Sequence, residues 1–273
     1  MSPIPELWSE ADAKAEDALT RAVQEADLLS ALVAIEGLDD ALAMGLAHTI
    51  AELAVRTRVR VDAGDRPRDA LATVLVQELG LTGDDDDYFA PDNSLISAVL
   101  GRRRGQPILV SCVWMLVGRA AGLDVVGVAL PGHFVVGVAG LIVDPFHAGR
   151  YLSIDQCREL AARAVPGKPF DKEWLASVDV RAIAARVLRN LAHSLRERGD
   201  ERGVYRATRL LARALPDDGP VQVELARQSE SLGAWPEALA LYRHLSRHFA
   251  GKREGQIGDM KAIELEARSR TLN

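Results

Sequence analysis

Cysteine is nearly missing from this chain. Cys112 and Cys157 are the only two in 273 residues. Two are too few for a disulfide framework, and no basic-then-apolar leader follows Met1. The expected setting is a reducing, cytoplasmic one. Positive charge is not in excess either: the net charge is −6, which argues against bulk nucleic-acid binding. No glycine-rich phosphate loop follows a strand and precedes a Lys-Ser/Thr helix, so nucleotide binding has no support, and no cofactor is implied. One long uncharged run exists, residues 125–143, but Pro131, His133 and four glycines interrupt it and β-branched residues dominate. It reads as strands rather than as a membrane span.

What is present is ordinary for a globular chain: 48% hydrophobic and 26% charged residues, enough length for one large domain or two small ones. Helical spacing of Trp8, Ala11, Ala15, Leu19 and Val23 predicts a helix over 5–35. A second is expected over 40–61, and a third over 67–79, with Pro67 in its first turn and Gly80 as its cap. The Asp84–Asp87 run reads as a solvated loop, because a calcium loop needs glycine at its sixth position and glutamate at its twelfth. Asp92, Asn93 or Ser94 is expected to cap a short helix over 95–103. Arg102, Arg103 and Arg104 end it, where cations suit the helix dipole. Those arginines read as cap and surface, with an anion or partner contact as the alternative.

Pro107 is suited to the first position of the next helix, which runs to about Ala121 and is apolar nearly all round. Such a helix is buried. Three short strands follow, about 124–130, 133–139 and 141–145, with Ala139-Gly140 as a tight turn. If those two residues are the whole loop, Val138 faces Leu141 and Val135 faces Asp144. His133 and Asp144 are then diagonal neighbours on one sheet face. Beyond a helix at 154–164 and a Pro/Gly linker, the chain reads as helical from about Val180. Leu191-Ala192 and Leu225-Ala226 are 34 residues apart, and so are Gly199 and Gly233, which is the tetratricopeptide period. Trp235 reads as core packing in a repeat helix. His48, His193, His244 and His248 read as surface or packing residues, and Cys157 as packed under its helix.

Thiol chemistry needs a cysteine whose pKa is lowered, a histidine in reach, and a third group that holds the histidine. Cys112, His133 and Asp144 supply the residue types in that order. Ser111 is a weaker nucleophile candidate, being inside the same helix. Metal binding by His133, Asp144 and His147 is the other use of these side chains, but Pro145 and Phe146 intervene, and a His–Asp pair is more often structural.

The blocks Asn93-Ser94-Leu95, Arg102-Arg103-Arg104-Gly105-Gln106-Pro107-Ile108, Pro131-Gly132-His133-Phe134 and Asp144-Pro145-Phe146 resemble bacterial SirB-type proteins of the transglutaminase-like superfamily, which carry C-terminal tetratricopeptide repeats. The resemblance covers roughly 88–250. It implies a papain-like α+β core: a helix packed on an antiparallel sheet, with the nucleophile at the helix start. Active members read Arg-Gly-x-Cys there. In this chain Pro107 stands at the nucleophile position, and Cys112 comes five residues later, roughly 7–8 Å further along the axis. The family's histidine and aspartate map onto His133 and Asp144.

The expected fold is α+β: an N-terminal helical region over 1–87, a transglutaminase-like core over 88–176, and a helical repeat tail over 177–273 closed by a terminal helix at 256–271. The expected function is a non-catalytic regulatory or protein-interaction module with a protein partner on the repeats and no membrane. Two alternatives stand beside it. One is a cysteine hydrolase or acyl transferase using Cys112, His133 and Asp144. The other is thiol-free chemistry on a small molecule in the same cleft.

Overall fold

The computed structural model describes residues 7–271. Positions 5 and 6 of the expected first helix lie outside the described residues. The chain divides into two compact units: Arg21–Val187, and Met1–Thr20 with Leu188–Asn273.

The expected helix over 5–35 is two helices, α1 (Glu10–Gln24) and α2 (Leu28–Glu36). Ala26 takes φ 56° between them, and Asp27 caps α2 by accepting from the Ser30 amide. A carboxylate that satisfies an orphan amide restarts a helix in a new direction, which apolar spacing alone does not register. α3 (Asp40–Asp62) is capped in the same way by Asp39. α4 (Pro67–Ala72) starts at Pro67 and widens into a π-helical segment, Thr73–Glu78.

Strand β1 (Thr82–Gly83) pairs in parallel with β2 (Arg104–Gly105), and α5 (Ile96–Arg102) lies between them in sequence. None of the three expected capping side chains caps α5: its N-cap is Leu95, and Pro91–Ser94 form a 3-10 turn before it. Asn93 instead donates to the Asp87 carbonyl and accepts from Arg102. The Asp84–Asp87 run is not wholly solvated. Asp84 is buried and bound by Arg102 at 3.0 Å; burial acts to raise its carboxyl, but the Asp87 amide, the Asn93 side chain and the Arg102 charge outweigh it and hold it below the usual carboxylate range.

α6 (Pro107–Ala120) is the core of the Arg21–Val187 unit. Ile108, Leu109, Val110, Val113, Trp114, Met115 and Val117 are all buried. At about 1.5–3 kcal/mol per fully buried side chain, this helix is the unit's main apolar anchor. It packs on an antiparallel sheet of β3 (Val125–Val128), β4 (Val135–Val138), β5 (Leu141–Asp144), β6 (Arg150–Tyr151) and β7 (Ser177–Val178), in the order β6-β5-β4-β3-β7. The fold is thus α+β, with a buried helix on a small antiparallel sheet. The hairpin register is Val138 opposite Leu141 and Val136 opposite Val143, as a two-residue turn at Ala139-Gly140 dictates. α7 (Ile154–Ala164) carries a reciprocal capping box between Ser153 and Gln156.

α8 (Val180–Glu197) crosses from one unit to the other in sequence. α9 (Glu201–Ala214), α10 (Gly219–Ser231), α11 (Trp235–His248) and α12 (Arg253–Thr271) follow. Gly199 and Gly233, 34 residues apart, both take positive φ (71° and 77°) where a helix ends. A left-handed cap favours glycine there, so the spacing reflects a repeated helix ending. Val223, Ala226, Ala238, Tyr242, Leu245, Phe249 and Leu265 form one apolar cluster among α10, α11 and α12. Trp235 is not a core residue: it is 43% exposed, with the Arg268 guanidinium over its ring. His248 is a surface residue, as expected, with Asp217 taking its Nε2 at 2.9 Å. Among the described residues no helix is long and apolar enough to cross a membrane.

Candidate functional site

The site is built where the start of α6 meets the ends of β4 and β5. Pro107 is the first residue of α6, preceded by Gln106 in extended conformation. The Gln106 side chain is fully used: Oε1 accepts from Ser94 Oγ at 3.1 Å, and Nε2 donates to the Tyr88 carbonyl at 3.1 Å. Both Gln106 and Pro107 are buried. The helix start is therefore tied to the 88–94 segment and closed to solvent.

Pro131-Gly132 turns the chain into β4, with the His133 amide donating to the Leu130 carbonyl. Arg186 of α8 spans this turn. Its guanidinium donates to the carbonyls of Leu130 at 3.2 Å and His133 at 3.0 Å. His133 Nε2 lies 2.9 Å from Asp144 Oδ1. Asp144 is fully buried and His133 is 9% exposed. After Asp144, Pro145 opens a 3-10 turn, Pro145–His147, which folds His147 back so that its Nδ1 lies 2.7 Å from Asp144 Oδ2. Arg150 reaches the same oxygen at 3.3 Å. One carboxylate thus receives two imidazoles and a guanidinium. Burial acts to raise the Asp144 pKa, but the bonds and charges of His133 and His147 outweigh it and hold the carboxyl below its ordinary range.

An ionised carboxylate accepts only, so both imidazole nitrogens facing it carry hydrogens. A neutral His133 held in this way has its lone pair on Nδ1, the geometry of a held general base. A base of this kind needs a group to deprotonate. Cys112 is the thiol of the neighbouring helix α6. It lies in the second turn of α6, 0% exposed, and burial pushes its thiol up to about 12. Ser111 is also buried and donates to the Phe134 carbonyl at 3.3 Å. Cys157 is buried under α7.

His133, Asp144 and His147 offer three donor atoms within 4.8 Å of one another, so the two residues between Asp144 and His147 do not keep them apart. Their spacing nevertheless suits hydrogen bonds better than coordination. Two ligands on a tetrahedral zinc at about 2.0–2.1 Å sit roughly 3.3 Å apart, whereas these pairs are at 2.7 and 2.9 Å. The Arg150 cation on Asp144 further opposes a metal ion.

The arginine run divides. Arg102 is taken by Asp84, and Arg104 pairs with Asp86 at 2.7 Å. Arg103 sits at the end of α5 with φ 61° and is exposed. The residues that spacing missed are Arg186, Arg150 and Tyr88. Arg186 comes from a helix more than fifty residues beyond His133, and no local pattern connects them. His147 was within reach of sequence reasoning: Asp-Pro at the start of a tight turn returns the residue three positions on over the carboxylate.

Comparison with known proteins locates this geometry. The family model described as the transglutaminase-like superfamily matches residues 45–189. A UPF0162 protein of Xylella fastidiosa is 33% identical over 207 residues, 70% of this chain and 73% of that one. A UPF0162 protein of Pseudomonas aeruginosa is 32% identical over 164 residues, 59% of this chain and 58% of its own length. F-box only protein 21 of Pongo abelii is 27% identical over 228 residues, 76% of this chain but 35% of that protein. No solved structure gives a significant match.

Proposed function

The chain belongs to the transglutaminase-like superfamily, and from that premise we propose that it works as a non-catalytic, SirB-type interaction module. The observation that carries the proposal is the start of α6. There Pro107 is buried behind Gln106, and the resemblance puts it where active members of the superfamily hold a nucleophilic cysteine. The only cysteine of that helix has a fully buried thiol pushed up to about 12. His133 and Asp144 are then a hydrogen-bonded structural pair, extended by His147, that holds β4, β5 and the following turn together.

In this reading 88–176 is the degenerate core, 1–87 its helical N-terminal region, and 177–273 a tetratricopeptide-like tail that receives a protein partner in a cytoplasmic setting. A groove of about 670 Å³, lined in part by Val204, Val223, Arg227, Arg253 and Ile257, supports a binding role for that tail. The match to F-box only protein 21 is in keeping with a module that is carried within a longer chain.

The test uses the full chain immobilised for capture, alongside Arg227→Glu in the groove and Cys112→Ala in α6. The reading expects a partner retained by wild type and Cys112→Ala and lost by Arg227→Glu. Turnover of an ester, thioester or amide probe by wild type, abolished in Cys112→Ala, overturns it in favour of the cysteine hydrolase or acyl transferase.

A further inference from the structure

Arg186 of α8 is a half-buried cation with no acid beside it. Its guanidinium donates to the carbonyls of Leu130 and His133 and lies 5.6 Å from the centre of the buried Phe134 ring. Those two bonds leave part of the guanidinium fork unused. The other arginines around the site are matched: Arg102 by Asp84, Arg104 by Asp86 and Arg150 by Asp144. Among the described residues no carboxylate pairs with Arg186, and the titratable group whose charge it feels is Tyr88. A cation taken out of water is costly unless an opposite charge meets it. Burial accordingly holds the Arg186 pKa below its ordinary value, against the opposing charge of Tyr88.

Tyr88 is fixed beside the same turn. Gln106 holds its carbonyl at 3.1 Å, and its ring packs edge-on against Phe146 at 6.2 Å, as the His133 ring does at 6.0 Å. Phe146 therefore sets Tyr88 and His133 on one wall, and Arg186 is tied to that wall through the His133 carbonyl. Among the described residues nothing bonds to the Tyr88 hydroxyl, which is open to solvent. Burial raises its pKa, so it remains an O–H donor at neutral pH. A guanidinium fork and a phenol O–H are donors in want of an acceptor, and a carboxylate brings two acceptor oxygens and the missing charge. Asp85, whose charge Tyr88 also feels, opposes a second negative charge and so favours a carboxylate over a phosphate dianion. Next to Tyr88, the Phe89 ring is 47% exposed at 5.1 Å and offers an apolar rest. We infer that Arg186 and Tyr88 bind the carboxylate of a ligand whose aromatic or aliphatic stem lies on Phe89. This goes beyond the partner reading of the tail and does not rest on it, since every group named belongs to the Arg21–Val187 unit.

Titration of benzoate into the full chain, followed by calorimetry and by the Arg186 Nε–H resonance, tests this. Saturable binding in the millimolar range or tighter is expected. Benzamide, its uncharged counterpart, and inorganic phosphate are each expected to bind weaker by about tenfold or more. N-acetylphenylalanine against N-acetylphenylalaninamide repeats the comparison for a carboxylate at the end of a peptide chain. The tighter of the two acids identifies the source, a free small acid or a chain terminus. Tyr88→Phe keeps the ring on Phe146 and removes only the hydroxyl, so it is expected to weaken that acid by about tenfold or more. Arg186→Gln is expected to abolish saturable binding, and where it melts early Tyr88→Phe alone decides. Failure of both acids to saturate overturns the proposal. So does phosphate or the matching amide binding as tightly as the acid, or a Tyr88→Phe chain that binds it as wild type does. Partner capture by the tail is a separate measurement, so the two readings fail independently.

Discussion

The sharpest quantitative consequence of the site concerns the thiol of Cys112. Its side chain is 0% exposed inside α6, and burial pushes its pKa up to about 12. A free cysteine near 8.5 is about 3% thiolate at pH 7, whereas a thiol at 12 is about one part in 10⁵ thiolate. The native chain should therefore react with iodoacetamide about 3,000-fold more slowly than a model thiol on ionisation alone. Access slows it further, because Val113, Trp114 and Met115 around it are equally buried, so reagent reaches the sulfur only through opening of the core. The assay is mass-resolved alkylation of the native chain between pH 6 and 10, with a denatured control. Denatured protein should take up two equivalents, one each for Cys112 and Cys157, and native protein almost none over the same time. Fast modification of Cys112 alone, with an apparent pKa below about 8.5, would refute the reasoning and with it the non-catalytic proposal.

The Asp144 cluster makes a signed prediction in pH. Its folded pKa is depressed, so its contribution to stability is present above the unfolded value of 3.8 and is lost as pH falls through the lower folded value. Asp144→Asn should cost about 1–3 kcal/mol at pH 7, the range for disturbing a buried hydrogen-bonded group, and the gap to wild type in urea midpoints should narrow below pH 4. An equal gap at pH 7 and pH 3 would contradict the ionised reading. Gly149→Ala meets two obstacles: Gly149 has φ 69°, and an added Cβ would collide with the Trp114 ring. Strain of about 1–3 kcal/mol and overpacking of a similar size should lower the melting temperature clearly, and an unchanged melting curve would refute this. Arg186→Lys replaces a fork that holds two carbonyls with a single ammonium. It should cost about 1–2 kcal/mol and shift the His133 imidazole resonances, whereas unmoved resonances would show that the turn does not depend on Arg186.

Several elements were legible because their causes are local. Pro107 and the all-round apolar run after it specify a buried helix, and α6 has those bounds. Ala139-Gly140 allows only a tight turn, which sets the β4–β5 register and brings His133 to Asp144. The capping box at Ser153 and Gln156 begins α7 where the spacing placed it. Other elements were not legible because their causes are distant. β7 joins β3 across about fifty residues, and β1 pairs with β2 only because α5 returns the chain. The break at Ala26 and Asp27 is short in sequence, yet a single carboxylate cap outweighed a continuous apolar period.

The residue types at the site, their order and the proline that opens α6 were determined by the sequence alone, since each is a matter of identity and spacing along one element. What the tertiary structure decided is exposure and company. It buried Cys112 and raised its thiol, and it gave the Asp144 carboxylate a second imidazole and a guanidinium. It also took Arg102 into Asp84 and left Val55 and Val59 facing water. The physical reason is that a pKa, a hydrogen-bond partner and a solvent contact are set by whatever surrounds a side chain in space, and chain order does not carry that information.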